Sequence, residues 1–102
     1  MHKLVVLYPP PNDPEAFRSY YTQTHIPLVR QLPGLRRYGY SFEVASPAGD
    51  SPFFCVFEAE WDDAAAMRES MTSEQGQLVA ADVPNYAPDG VVMIDYELTT
   101  GS

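Results

Sequence analysis

Basic side chains are scarce in this chain: six lysines and arginines stand against fourteen acidic residues, a formal charge of −8 over 102 residues. A surplus of that sign repels phosphate backbones and anionic headgroups over the range of a Debye length. No nucleic acid and no membrane surface is therefore expected as a partner. Cysteine occurs once, as Cys55 in an apolar run. An internal disulfide and a thiolate metal cluster are both excluded, and the residue reads as a small buried hydrophobe suited to a reducing compartment. Long apolar runs are missing too, since nowhere do about 18 apolar residues follow one another, so no segment reads as a bilayer span. Met1-His2-Lys3-Leu4 passes directly into a short strand-like stretch rather than into an export signal, and the expected location is the cytoplasm. A glycine-rich phosphate loop, a dinucleotide fingerprint and zinc-ligand spacing are also lacking, so no cofactor and no metal is expected.

An apolar fraction of 45% with 13% aromatics is that of a folded chain. The length suits one domain, residues 1–102, that buries roughly two thirds of its unfolded surface. Lys3 to Tyr8 reads as a strand that stops at Pro9-Pro10-Pro11, because proline has no amide hydrogen for a ladder. Asp13-Pro14 marks a helix start. Phe17, Tyr20, Tyr21, Thr24 and Leu28 then recur at spacings of three and four, which expects them on one buried face. Pro27 kinks or splits this helix and leaves a carbonyl near Gln23 without its donor, with His25 beside the defect.

After Pro33-Gly34, the stretch Leu35 to Val44 reads as a strand with Tyr38, Tyr40 and Phe42 on one face. A loop spans Ala45 to Pro52. Phe53 to Trp61 alternates as a third strand, Asp62-Asp63 starts a short helix carrying Met67 and Met71, and Thr72 with Gln75 forms a capping box for a helix to about Ala81. Turn residues around Pro84 and Pro88 lead to a last strand, Val91 to Leu98. The order βαββα(α)β is that of an α+β, ferredoxin-like domain with a four-stranded antiparallel sheet and helices on one side. Val5, Leu7, Tyr38, Tyr40, Phe53, Phe57, Val91 and Met93 are too many to hide under one helical layer, so a homodimer with a second sheet on the open face is expected.

The run Tyr20-Tyr21-Thr22-Gln23-Thr24-His25-Ile26-Pro27-Leu28, with Leu32-Pro33-Gly34-Leu35 after it, resembles the helix motif of the EthD family, named for ethyl tert-butyl ether degradation. The similarity extends to Lys3–Tyr8, to Ser73-Glu74-Gln75-Gly76-Gln77 and to Ala81-Asp82-Val83-Pro84-Asn85-Tyr86. The resemblance implies a dimeric α/β-barrel in which two ferredoxin-like sheets pack face to face. It implies less about chemistry: the namesake accompanies a cytochrome P450 system, and related barrels isomerise muconolactones, oxygenate aromatic polyketides or degrade haem.

His25 matches the family's motif histidine, and a group of near-neutral pKa beside a broken turn suits a general acid or base. It equally suits a residue that merely bonds the freed backbone carbonyl. Tyr38 corresponds, by the same resemblance, to a pocket tyrosine of methylmuconolactone isomerases. Tyr21 and Tyr40 are cavity-wall or packing residues, and Trp61 either stacks on a ligand or belongs to the core. Glu58 and Glu60 share one strand face and read as a solvated or edge-protecting pair. His2 reads as a solvated terminal residue, and Asp82 as an acid ending a short helix.

Two functions of different kinds remain. One is a small-molecule protein of catabolism, with a small apolar or aromatic ligand beside His25 and, if it is an enzyme, cofactor-free isomerase-like or monooxygenase-like chemistry. The other is a non-catalytic accessory of an oxygenase system; a haem-handling protein with His25 as axial ligand is a further alternative.

Overall fold

The computed structural model describes residues 1–101. Strand β1 (His2–Tyr8) ends at the three prolines. Helix α1 (Pro14–Tyr20) starts where Asp13 accepts a hydrogen bond from the Ala16 amide at 3.1 Å. The split expected at Pro27 takes the form of a single π-turn, Tyr21–His25, closed by the Ile26 amide donating to the Tyr21 carbonyl and followed by the short helix α2 (Ile26–Val29). The wider turn inserts a residue into the helical repeat. Thr24 is consequently exposed and Leu28 only half-buried, while His25, Ile26 and Val29 turn inward.

Strand β2 (Arg37–Ser41) and strand β3 (Cys55–Trp61) are shorter than the sequence suggests. Phe53 falls outside β3, in a turn in which its amide donates to Ser51 Oγ at 3.0 Å. Helix α3 (Ala64–Thr72) is capped by Asp63, and helix α4 (Glu74–Tyr86) by Ser73. Thr72 is not the cap: its hydroxyl bonds back to the Arg68 carbonyl at 2.7 Å, and Ser73 Oγ accepts from the Gly76 amide at 3.1 Å. The tight α3–α4 corner needs glycine at 76, where a Cβ would lie 2.3 Å from the Ser70 carbonyl oxygen. Helix α4 runs through Pro84 to Tyr86, well past Ala81, because Val79, Asp82 and Tyr86 keep one side buried. Strand β4 (Val92–Glu97) completes the chain's elements.

The sheet order is β2-β3-β1-β4 with every neighbour antiparallel, the ferredoxin-like arrangement. Register divides the side chains, since directly paired residues share a face. Leu4 opposite Ala59 and Val6 opposite Phe57 and Met93 face the helices, as do Tyr38 and Tyr40. Val5, Leu7, Val56, Val92, Ile94 and Tyr96 face the other way, with Lys3, Glu58 and Glu60. Of the eight residues expected to overcrowd the sheet, Tyr38, Tyr40, Phe57 and Met93 lie on the helix side and Val5 and Leu7 on the open side, while Phe53 and Val91 fall outside the strands.

On the open face Lys3 Nζ reaches Glu58 at 3.5 Å and Arg37 Nε reaches Glu60 at 3.0 Å. Glu58 and Glu60 lie on β3, an interior strand, so they guard no edge. Between helices and sheet, Phe17, Tyr21, Ile26, Val29, Met67 and Val79 close over Leu4, Val6, Phe57 and Trp61. Burying side chains of this kind is worth about 1.5–3 kcal/mol each before chain entropy is counted.

Candidate functional site

The π-turn and helix α4 bring together two residues 57 apart in the chain. His25 Nδ1 lies 2.9 Å from Asp82 Oδ2, and the residues are 3% and 8% exposed. Asp82 holds two further donors on its other oxygen: the Tyr20 hydroxyl at 2.5 Å and Asn85 Nδ2 at 3.1 Å. Asn85 follows Asp82 by three positions on α4, where side chains are neighbours. His25 therefore bonds a buried carboxylate, and the freed backbone carbonyl is not its partner.

Burial alone would raise the Asp82 carboxyl, but hydrogen bonds from Tyr20, His25 and Asn85 outweigh it and hold the group below its usual range. Burial moves His25 the other way, below 6.5, against the opposing pull of Asp82. Near neutral pH the pair is an ionised Asp82 and a neutral imidazole. An ionised carboxylate only accepts, so the proton of His25 sits on Nδ1 and the lone pair on Nε2. Nε2 has no protein partner among the described residues and is not among the enclosed unpartnered atoms.

His25 forms part of the wall of a cavity of about 250 Å³ between β1, β4, α2 and α4. Leu4, Val6, Val29, Phe57, Val79 and Val83 make much of the rest of it. Behind His25 lies an aromatic block, with the Tyr21 ring stacked at 5.4 Å and the Tyr86 ring tilted at 4.7 Å. The Tyr86 and Tyr8 hydroxyls bond each other at 2.9 Å. A second hollow of about 270 Å³ lies between the Pro9–Pro11 segment and the end of α4, with Tyr20 and Asn85 at its edge. The dyad thus has His25 on the apolar cavity and the supports of Asp82 on the other hollow.

Of the residues singled out from sequence, the structure places His25 and Trp61 on the same cavity. Trp61 is fully buried, and its indole nitrogen is enclosed without a partner. Tyr21 supports His25 from behind and is fully buried. Tyr40 touches the edge of Tyr21 at 5.5 Å and is half exposed. Tyr38 stacks on Phe57, and its hydroxyl accepts from Arg30 Nε at 2.8 Å, so it stands apart from His25. Burial pushes the Cys55 thiol up to about 12, which makes it inert packing. Asp82, Tyr20 and Asn85 complete the site without having been singled out as site residues. The signal for Asp82 is the period Val79, Asp82, Val83, Tyr86, which a helix continued through Pro84 places on one side.

The EthD domain family model matches residues 9–90. An uncharacterized 11.0 kDa protein of Rhodococcus erythropolis, from the thcB-thcC intergenic region, is 33% identical over 95 residues, 92% of this chain and 91% of that protein. The crystal structure of an ethyl tert-butyl ether degradation family protein of Bacillus halodurans superposes with a TM-score of 0.90 at 33% identity, covering 97% of this chain and 99% of that one. A dimeric protein of ferredoxin-like fold from Bacteroides fragilis shares the fold, with a TM-score of 0.68 at 13% identity and 95% of each chain covered.

Proposed function

This chain belongs to the EthD domain family, and from that premise we propose that it is a small-molecule protein of catabolism that takes a small apolar or aromatic compound into the cavity beside His25. His25 is the general acid or base of that cavity, and Asp82 is its positioning residue. The observation that carries the reading is a neutral imidazole, bonded through Nδ1 to a buried carboxylate, set in an otherwise apolar wall. A volume of about 250 Å³ lies under the ~300–1,000 Å³ of drug-sized pockets, which favours a compact ligand over a porphyrin. No helix of the described residues is long and apolar enough to cross a membrane.

Fluorescence titration with 2-naphthol tests the cavity. Saturable binding is expected for the wild type and a loss of about tenfold or more for Ala80→Phe, which sets a ring at the cavity wall. Equal binding by a folded Ala80→Phe variant would place the compound elsewhere.

The working form is a homodimer built on the open sheet face. Val92, Ile94 and Tyr96 are 45%, 49% and 39% exposed there, beside Val5, Leu7 and Val56, an apolar patch that a monomer rarely leaves to water. The dimeric Bacteroides protein of the same fold supports this reading. Sedimentation velocity is expected to give twice the chain mass for the wild type and the chain mass for Ile94→Asp. A monomeric wild type would remove the dimer.

A further inference from the structure

The cavity's polar groups restrict what can occupy it. Among the side chains that line it, only His25, Tyr8 and Trp61 carry nitrogen or oxygen. The Tyr8 hydroxyl is engaged with Tyr86, and the Trp61 nitrogen is enclosed by protein. Among the lining side chains that leaves His25 Nε2 as the free polar atom, and with Nδ1 donating to Asp82 it is an acceptor without a hydrogen of its own. No lysine or arginine lines the wall, and the Asp82 carboxylate lies directly behind the imidazole.

Three ligand chemistries meet this arrangement differently. An anion such as a carboxylate faces a lone pair backed by a negative charge, with no cation to offset its desolvation. A hydrocarbon or an ether fills the space but covers Nε2 without giving it a donor, which costs the desolvation of a polar atom. A neutral molecule with a phenolic or enolic hydroxyl satisfies both demands: its rings replace water along the apolar wall, and its O–H donates to Nε2. The weak acidity of such a hydroxyl strengthens that bond, since Asp82 polarises the imidazole from behind.

Resting on the reading of the cavity as a small-molecule site, we infer that it selects neutral apolar molecules bearing one weakly acidic hydroxyl, a phenol or an enol, held by an O–H···Nε2 hydrogen bond to His25. Asp82, its Oδ1 held by Tyr20 and Asn85 and its Oδ2 facing the ring, sets this preference by holding the proton of His25 on the far nitrogen.

The test compares 2-naphthol, 2-methoxynaphthalene and 2-naphthoate on the whole protein near pH 7.5, by fluorescence titration. The expected result is 2-naphthol bound about tenfold more tightly than its methyl ether, with naphthoate weakest. In His25→Leu the preference for naphthol over ether is expected to fall to about onefold while ether binding is kept. The ligand series on the wild type stands by itself if that variant does not fold. Equal affinity for naphthol and ether, or tightest binding of naphthoate, would overturn the hydroxyl preference and leave the cavity reading intact. Binding of none of the three would overturn both.

Discussion

Both histidines of this protein are buried, and each has a ring nitrogen within 2.9 Å of an aspartate, yet they sit in opposite surroundings. His2 is on β1, and its Nε2 lies 2.8 Å from Asp95 on the edge strand β4, with Glu97 at 3.6 Å from the other nitrogen. The carboxylates of that pair are about half exposed, at 48% and 61%. His25 has a partner at 9% exposure, three donors on that partner and an apolar cavity before it. A histidine–carboxylate contact alone therefore defines no site. What separates the two is the burial and the hydrogen bonding of the acid behind the ring, which decide whether the imidazole has a fixed tautomer.

Chemical denaturation of matched variants sharpens that comparison. Asp82→Asn should be the largest effect, a loss of about 1–3 kcal/mol at pH 7, because the amide cannot accept from His25, Tyr20 and Asn85 as a carboxylate does. The pH dependence comes next. The folded His25 titrates below 6.5, so between that lower value and 6.5 the unfolded chain binds more protons and stability falls as pH drops. Asp82, whose folded pKa is depressed, contributes stability that is present above its ordinary 3.8 and lost as pH falls through the folded value. His25→Leu should abolish the slope just below pH 6.5 and leave the acid limb reduced. Asp95→Asn is expected to change stability least, by about 0.5 kcal/mol or less, because its carboxylate is half exposed and screened by solvent. A larger loss from Asp95→Asn than from Asp82→Asn would break the distinction between the two pairs.

The contrast also marks what local sequence signals reach. The end of β1 at three prolines, the Asp13-Pro14 start of α1 and the break before Pro27 are encoded within a few residues, and all appear in the structure. The π-turn itself was less legible, because a regular period placed Thr24 and Leu28 inward while the wider turn exchanged them for His25 and Val29. Locally Asp82 reads as an acid ending a short helix, since Pro84 argues against continuation, yet the burial of Val79 and Tyr86 carries α4 through it. His2 looked solvated for its place near the amino terminus, but register puts it between Trp61 and Glu97. In each case the deciding contact came from a residue distant in sequence, and one chain read in order does not display it.

The His25 motif was visible as a single residue beside a helix defect, whereas its supporting acid lay on another element. A site composed of a turn on one helix and a carboxylate on another becomes legible only when the packing of α2 against α4 is known.

The central claim is that His25 is neutral, with its proton on Nδ1 and its lone pair toward the cavity. Long-range ¹H–¹⁵N correlation of the histidine rings near pH 7, followed down in pH, measures that directly. The expected result is a His25 ring in the Nδ1–H tautomer that takes its second proton only below pH 6.5. A ring protonated on Nε2, or an imidazolium at pH 7, would contradict it.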